Sequence, residues 1–129
     1  MKFHTLDAKD SAKSGAGMPY KFSRCICLQT PDYEQALEFY HKTMGLDLNG
    51  EIEESAELKA EQNRLFIDKG KLPLGPILEF LVPDVEAARE ELLHAGCEVV
   101  TWEGRGGCCY MRDPFGFVFN LYQDPEAFQ

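Results

Sequence analysis

Apolar and polar positions along the chain change period in an order that occurs twice. An apolar run from Phe22 to Leu28 leads into Pro31-Asp32. The apolar residues beyond it, Tyr33, Ala36, Leu37, Tyr40 and Met44, fall at helical spacing, with Gly45 just past them. A second run, Ile77 to Val82, leads into Pro83-Asp84, and Val85, Ala88, Leu92 and Ala95 keep the helical interval ahead of Gly96. Each passage predicts a strand stopped by proline, a helix opened by an aspartate N-cap, and a left-handed glycine closing it.

Beyond the second helix the period drops towards two. Cys97 to Trp102, Cys108 to Arg112 and Phe117 to Tyr122 read as strands, with turn chemistry at Gly104-Arg-Gly-Gly107 and Asp113-Pro-Phe-Gly116. The matching stretch of the first half, Glu51 to Glu61, is rich in helix formers. It is read as a strand pair because the two halves are copies. At an offset of 52, Pro31, Asp32, Glu34, Ala36 and Glu38 recur as Pro83, Asp84, Glu86, Ala88 and Glu90, and Gly45 returns as Gly96 after a one-residue slip. A repeat this short cannot bury a sufficient core alone. The expected fold class is α+β: one domain over 20–129, made of two βαβββ units at 20–72 and 73–124. Residues 1–19 read as a flexible tail, small and polar from Lys9 to Gly17, with Met18 an alternative start.

Composition narrows the class. Across 129 residues, 44% hydrophobic and 27% charged side chains belong to a globular chain. No apolar stretch reaches the ~20 residues of a membrane span. With 13 Lys+Arg against 22 Asp+Glu the net charge is -9, which disfavours nucleic acid and anionic membranes as partners. Acidic residues concentrate between Asp47 and Glu61, with Lys59 alone among them; this is a solvated face that would steer cations if it bordered a cavity. Five cysteines, an odd number with no secretory segment ahead of them, indicate free thiols in a reducing cytoplasm. Their C-x-C and C-C spacings do not match the paired C-x-x-C of structural zinc.

Three motifs carry a family resemblance: P-D-Y-E-Q-A-L-E-F-Y-x(4)-G-L at 31–46, P-D-V-E-A-A-x-E-x-L at 83–92, and M-R-D-P-F-G at 111–116. They resemble those of the vicinal oxygen chelate superfamily, which includes glyoxalase I, bleomycin-resistance proteins and extradiol dioxygenases. The likeness runs from residue 20 to residue 124. It implies that the two units curl a mixed sheet into a half-open barrel around a cavity, with the helices outside. In metal-dependent members the cavity holds a divalent ion on inward-pointing His and Glu side chains. The resemblance also implies a homodimer.

Within that frame, strand alternation turns Cys25, Cys27, Ile77, Glu79, Asn120 and Tyr122 towards the cavity. Leu78, Phe80, Val82, Phe117, Phe119 and Leu121 then face the helices. The family's metal positions fall on Cys25, on Phe66 (with Asp68 the other candidate), on Ile77 and on Asn120. Isoleucine cannot bind a metal, asparagine is a weak uncharged donor, and only Cys25 is a strong one. His41 and His94 fall in the last helical turns, where they suit the helix dipole, and His4 lies in the tail. No cofactor is expected.

The expected site is a ligand pocket formed by Cys25, Cys27, Phe66, Ile77, Glu79, Tyr110, Asn120 and Tyr122, with Trp102 and Arg105 covering it from the Gly104–Gly107 loop. Glu79, set among apolar neighbours, is the candidate catalytic base or the counter-charge for a cation; a pair with Arg64, Arg105 or Arg112 is its structural alternative. The leading expectation is metal-independent binding of a small organic molecule, aromatic or cationic. Its rival is a divalent-metal lyase, isomerase or dioxygenase with an atypical ligand set that includes Cys25 and Asp68. A structural or partner-binding module is the third reading.

Overall fold

The computed structural model describes residues 17–102, 104 and 107–129. The first half runs β1 (Lys21–Thr30), α1 (Tyr33–Glu38, continued by a wider π-helical turn, Phe39–Thr43), β2 (Leu48–Ile52), β3 (Ser55–Ala60) and β4 (Asn63–Lys69). The second runs β5 (Leu74–Val82), α2 (Val85–His94), β6 (Glu98–Thr101), β7 (Cys108–Arg112) and β8 (Val118–Gln123), followed by a 3-10 turn at Pro125–Phe128. All strands join one open sheet in the order β2-β3-β4-β1-β5-β8-β7-β6. β1 pairs parallel with β4, and β5 with β8, whereas β1 and β5 meet antiparallel at the central seam. The class is α+β, with a mixed sheet that does not close.

Each helix covers its own half of one sheet face. α1 lays Tyr33, Ala36, Leu37 and Tyr40 on Ala56 and Leu58 of β3 and Ile67 of β4. α2 lays Val85, Ala88, Leu92 and Leu93 on Val82, Cys109, Met111 and Leu121. Leu58, Ile67, Met111 and Leu121 are fully buried, and burial of side chains this size contributes roughly 1.5–3 kcal/mol each. Strand side chains alternate, so the sequence neighbours of these residues turn to the opposite face. That face carries the site.

The two helices begin differently. Asp84 Oδ1 accepts from the Ala87 N–H at 3.1 Å, an N-cap as expected. Asp32 makes no such bond; instead its own N–H donates to Thr30 Oγ1 at 3.1 Å. Near its end α1 widens, and the Met44 N–H reaches the Phe39 carbonyl five residues back at 2.9 Å. The wider turn carries Met44 off the apolar face into solvent, contrary to the helical stripe expected for it, and Leu46 packs there instead. Gly45 and Gly96 close the helices with φ of +82° and +100°.

From Ser55 to Ala60 the chain is a strand despite its helix propensity, because Ala56 and Leu58 alternate into the first core. The turns flanking β3 hold Glu53 and Glu61 in the left-handed region, at φ +53° and +59°. Arg24, at φ +68°, marks the bulge in β1 between Phe22 and Ile26. Two apolar expectations fail: Leu78, on the central seam, and Phe117, which precedes β8, are exposed rather than packed beneath the helices. Met18, assigned above to the tail, packs on the second core, and its N–H donates to Glu91 Oε2 at 2.6 Å. Residues 1–16 of that tail lie outside the described residues. Among the described residues no helix is long and apolar enough to cross a membrane.

Candidate functional site

A cavity of about 200 Å³ is lined by paired residues from five strands. Cys25 and Cys27 come from β1, Phe66 and Asp68 from β4, Ile77 and Glu79 from β5, Cys108 and Tyr110 from β7, and Asn120 and Tyr122 from β8. The members of each pair are two residues apart, so the pleat alone points both the same way. An open pocket adjoins the cavity, sharing Cys25, Phe66, Glu79 and Tyr122 and adding Arg64 and Asp124 at the mouth. A separate depression at the start of α1, lined by Pro31 to Gln35, Glu54 and Lys69, holds an exposed Lys69–Glu54 ion pair and the buried Tyr33, whose hydroxyl is committed to Glu51 Oε2 at 2.6 Å.

Two carboxylates reach the cavity, and each is held by neutral donors. Ser55 Oγ donates to Asp68 Oδ1 at 2.5 Å, and the Cys27 thiol donates to Asp68 Oδ2 at 3.2 Å. Asn120 and Glu79 are ladder partners across β8 and β5, and Asn120 Nδ2 donates to Glu79 Oε2 at 3.0 Å. The same Nδ2 lies 3.9 Å from Cys108 Sγ. Asn120 is only 5% exposed, and its Oδ1 has no hydrogen-bond partner among the described residues. Neither described candidate cation forms an ion pair with these carboxylates, although Arg64 stands at the cavity edge with its Nη1 3.8 Å from Cys25 Sγ and its charge acts on Glu79. Arg64 donates to both Glu57 carboxylate oxygens, at 3.0 and 2.7 Å, and stands over the Phe66 ring at 5.2 Å. Arg112 pairs with Glu98 at 3.4 Å, and Arg105 lies outside the described residues.

Burial pushes the Cys27 thiol far above its ordinary range, and the Asp68 carboxylate beside it adds to the shift. A thiol so placed is a neutral donor, not a nucleophile. Burial also raises Cys108, against the opposing effect of the Asn120 hydrogen bond. Tyr110 is pushed up to about 12 by burial first, then by Cys27, Cys108 and both carboxylates.

Of the residues expected at the site, those within the described structure line this one cavity except Trp102, and Arg105 lies outside the described residues. Trp102 packs on the second core with the Arg89 guanidinium 4.2 Å from its ring. Cys108 was missed, and Asp68 entered only as a possible metal ligand. Each lies two residues from one that was named, so the same alternation would have found both.

The donor set does not suit a resident metal ion. Among the described residues no three His, Cys, Asp or Glu side chains come together closely enough to hold one. Phe66 and Ile77 offer no donor atom, Asn120 turns its Nδ2 to Glu79, and Cys27 keeps its proton on Asp68. His41 Nδ1 is taken by the Leu46 carbonyl at 2.7 Å, and His94 ends α2.

A family model described as Glyoxalase/Bleomycin resistance protein/Dioxygenase superfamily matches residues 22–121. No curated protein matches the sequence significantly. Among solved structures, the Mn(II)-bound glyoxalase from Novosphingobium aromaticivorans aligns with a TM-score of 0.60 at 20% identity, over 83% of this chain and 40% of that one. A hypothetical protein from Bacillus halodurans aligns at 0.61 and 14% identity, over 83% and 96%. A variant of homoprotocatechuate 2,3-dioxygenase from B. fuscum aligns at 0.63 and 24% identity, over 87% and 35%. At these identities the likeness is one of fold, and the chain spans less than half the length of that glyoxalase and that dioxygenase.

Proposed function

This chain belongs to the glyoxalase/bleomycin resistance protein/dioxygenase superfamily, and from that premise we propose that it binds a small organic molecule in the five-strand cavity without a metal ion. The observation that carries the reading is the donor set: at the positions where the family resemblance implies metal ligands stand Cys25, Phe66 or Asp68, Ile77 and Asn120, of which Asp68 is held by Ser55 and the Cys27 thiol. Such a pocket works by burying apolar surface against Phe66, Ile77, Tyr110 and Tyr122 while a few fixed polar groups orient the ligand. Glu79, oriented by Asn120, is the principal polar anchor and the group placed to accept a proton should a ligand carry an acidic one. Five free thiols accord with a cytoplasmic protein, and the family resemblance supports a homodimer.

Elemental analysis of untagged protein, before and after incubation with Mn, Fe, Ni and Zn, tests the reading together with a thermal-shift screen of small aromatic molecules. The expected result is less than a tenth of an equivalent of any metal and a raised Tm with ligand. One equivalent of metal, with chelator-sensitive turnover, would replace this reading with the second one. That reading, a lyase or dioxygenase using Cys25 and Asp68, is favoured by the likeness to a Mn(II)-bound glyoxalase.

A further inference from the structure

Charge and hydrogen-bond capacity in the cavity are lopsided, and the imbalance specifies a ligand class. Asp68 on β4 and Glu79 on β5 stand on either side of β1, and Cys27 between them faces Phe66 on one side and Ile77 on the other. Neither carboxylate takes part in an ion pair among the described residues, whose ion pairs are Arg64–Glu57, Lys69–Glu54, Arg89–Glu90 and Arg112–Glu98. The donors they do receive, a hydroxyl, a thiol and an amide, leave the negative charge in place. Asn120 Oδ1, on a side chain more than nine-tenths buried, is a further acceptor without a donor. Arg64 at the mouth acts on Glu79 without forming an ion pair with it; a partly buried carboxylate with no ion-pair partner is costly, and so is a buried acceptor left unpaired.

Beside Ile77 and the thiols of Cys25 and Cys108, the rest of the wall is aromatic. Phe66, Tyr110 and Tyr122 present ring surface to the same space, and ring faces attract cations. The volume, about 200 Å³, exceeds the ~150 Å³ of an apolar cavity that takes benzene. It fits one ring and a small head group.

We propose that this cavity selects an organic cation, an aryl or short alkyl body ending in an ammonium or amidinium group. The head donates to Glu79 and Asp68, with Asn120 Oδ1 completing its acceptors, and the body lies against Phe66, Tyr110 and Tyr122. Charge-assisted hydrogen bonds of this kind are the strong ones and set orientation. The proposal rests on the small-molecule reading above and adds the sign of the ligand's charge.

Titration calorimetry with benzamidinium, benzylammonium, neutral benzyl alcohol and benzoate tests it. The two cations should bind at least tenfold tighter than the alcohol, and benzoate weakest. Glu79→Gln and Asp68→Asn, each checked for folding by circular dichroism, should cut the cation-to-alcohol affinity ratio to threefold or less; a ratio that stays at tenfold in both variants would overturn the proposal. Arg105→Ala should leave cation affinity unchanged; a tenfold gain would mean that the chain supplies its own cation, and would overturn the proposal. Tighter binding of the alcohol or benzoate would overturn the charge preference and leave the small-molecule reading standing. Failure of all four to bind would remove that reading and this proposal with it.

Discussion

The Cys27 thiol and the Asp68 carboxylate are joined by a hydrogen bond of 3.2 Å that crosses diagonally between β1 and β4. The thiol proton has a carboxylate to hold it, and burial opposes its loss even more strongly. Cys27 should therefore react with iodoacetamide at pH 8 at least tenfold more slowly than an unstructured cysteine, whose thiolate fraction is set by a pKa near 8.5. Asp68→Asn should speed the reaction by removing the nearer negative charge. Peptide mapping of the alkylated protein reads both rates, and a Cys27 labelled as fast as a free thiol would contradict the buried pair.

Alkaline pH should destabilise the fold in a defined window. Tyr20 and Tyr110 are raised from an ordinary 10 to about 12, mainly by burial, and Cys27, Cys97, Cys108 and Cys109 are raised in the same direction. A raised acid contributes its full stability below the unfolded value, and that contribution is lost as pH climbs towards the folded one. The Tm should stay level up to about pH 8.5, then fall steadily between pH 9 and 12. Thermal melts across that range check it; a level Tm at pH 11 would mean that these groups are open to water.

Each half carries its own core, so each should be separately vulnerable. Leu58→Ala in the first and Leu121→Ala in the second empty fully buried positions. A cost of about 2–5 kcal/mol is expected for each. Urea unfolding gives the values, and a loss under 1 kcal/mol at either site would contradict the packing described.

Backbone strain can be relieved at a turn. Glu61 sits at φ +59° in the two-residue connection between β3 and β4, a region that glycine enters without steric cost. Glu61→Gly should raise stability by roughly 0.5–1 kcal/mol, measured as a shift in urea midpoint at unchanged slope. A loss of stability would show that the Glu61 side chain makes a contact worth more than the strain.

Much of this architecture was legible because it depends on local rules. Pro-Asp before each helix and Gly45 and Gly96 after them are backbone requirements written in residue type. Once a strand is located, its period of two decides which side chains meet in the cavity. What was hidden depends on distant partners. Glu53 and Glu61 turn the chain without glycine, so β2 and β3 could be read only through the other half; what holds them is Leu58 entering a core built by α1 and β4. The widened turn after α1 has no residue signature, so regular helical spacing puts Met44 on the apolar face, which the π-helical turn then carries it off. Trp102 was drawn to the cavity by its neighbours in sequence, whereas Arg89, on a different element, holds its ring on the second core.

The central seam has one more consequence. β1 and β5 are the innermost strands of the two halves, and the cavity wall is shared: Cys27 and Asp68 come from one half, Glu79 and Asn120 from the other. A molecule bound there as proposed would touch both copies at once and act as a clamp across their join. Its binding free energy then adds to the stability of the docked pair by mass action, protecting the β1 and β5 amides from hydrogen exchange more than those of the outlying β2 and β6. In such an arrangement the duplication is not only a way to enlarge the core. It makes occupancy of the site a gauge of whether the two copies are held together.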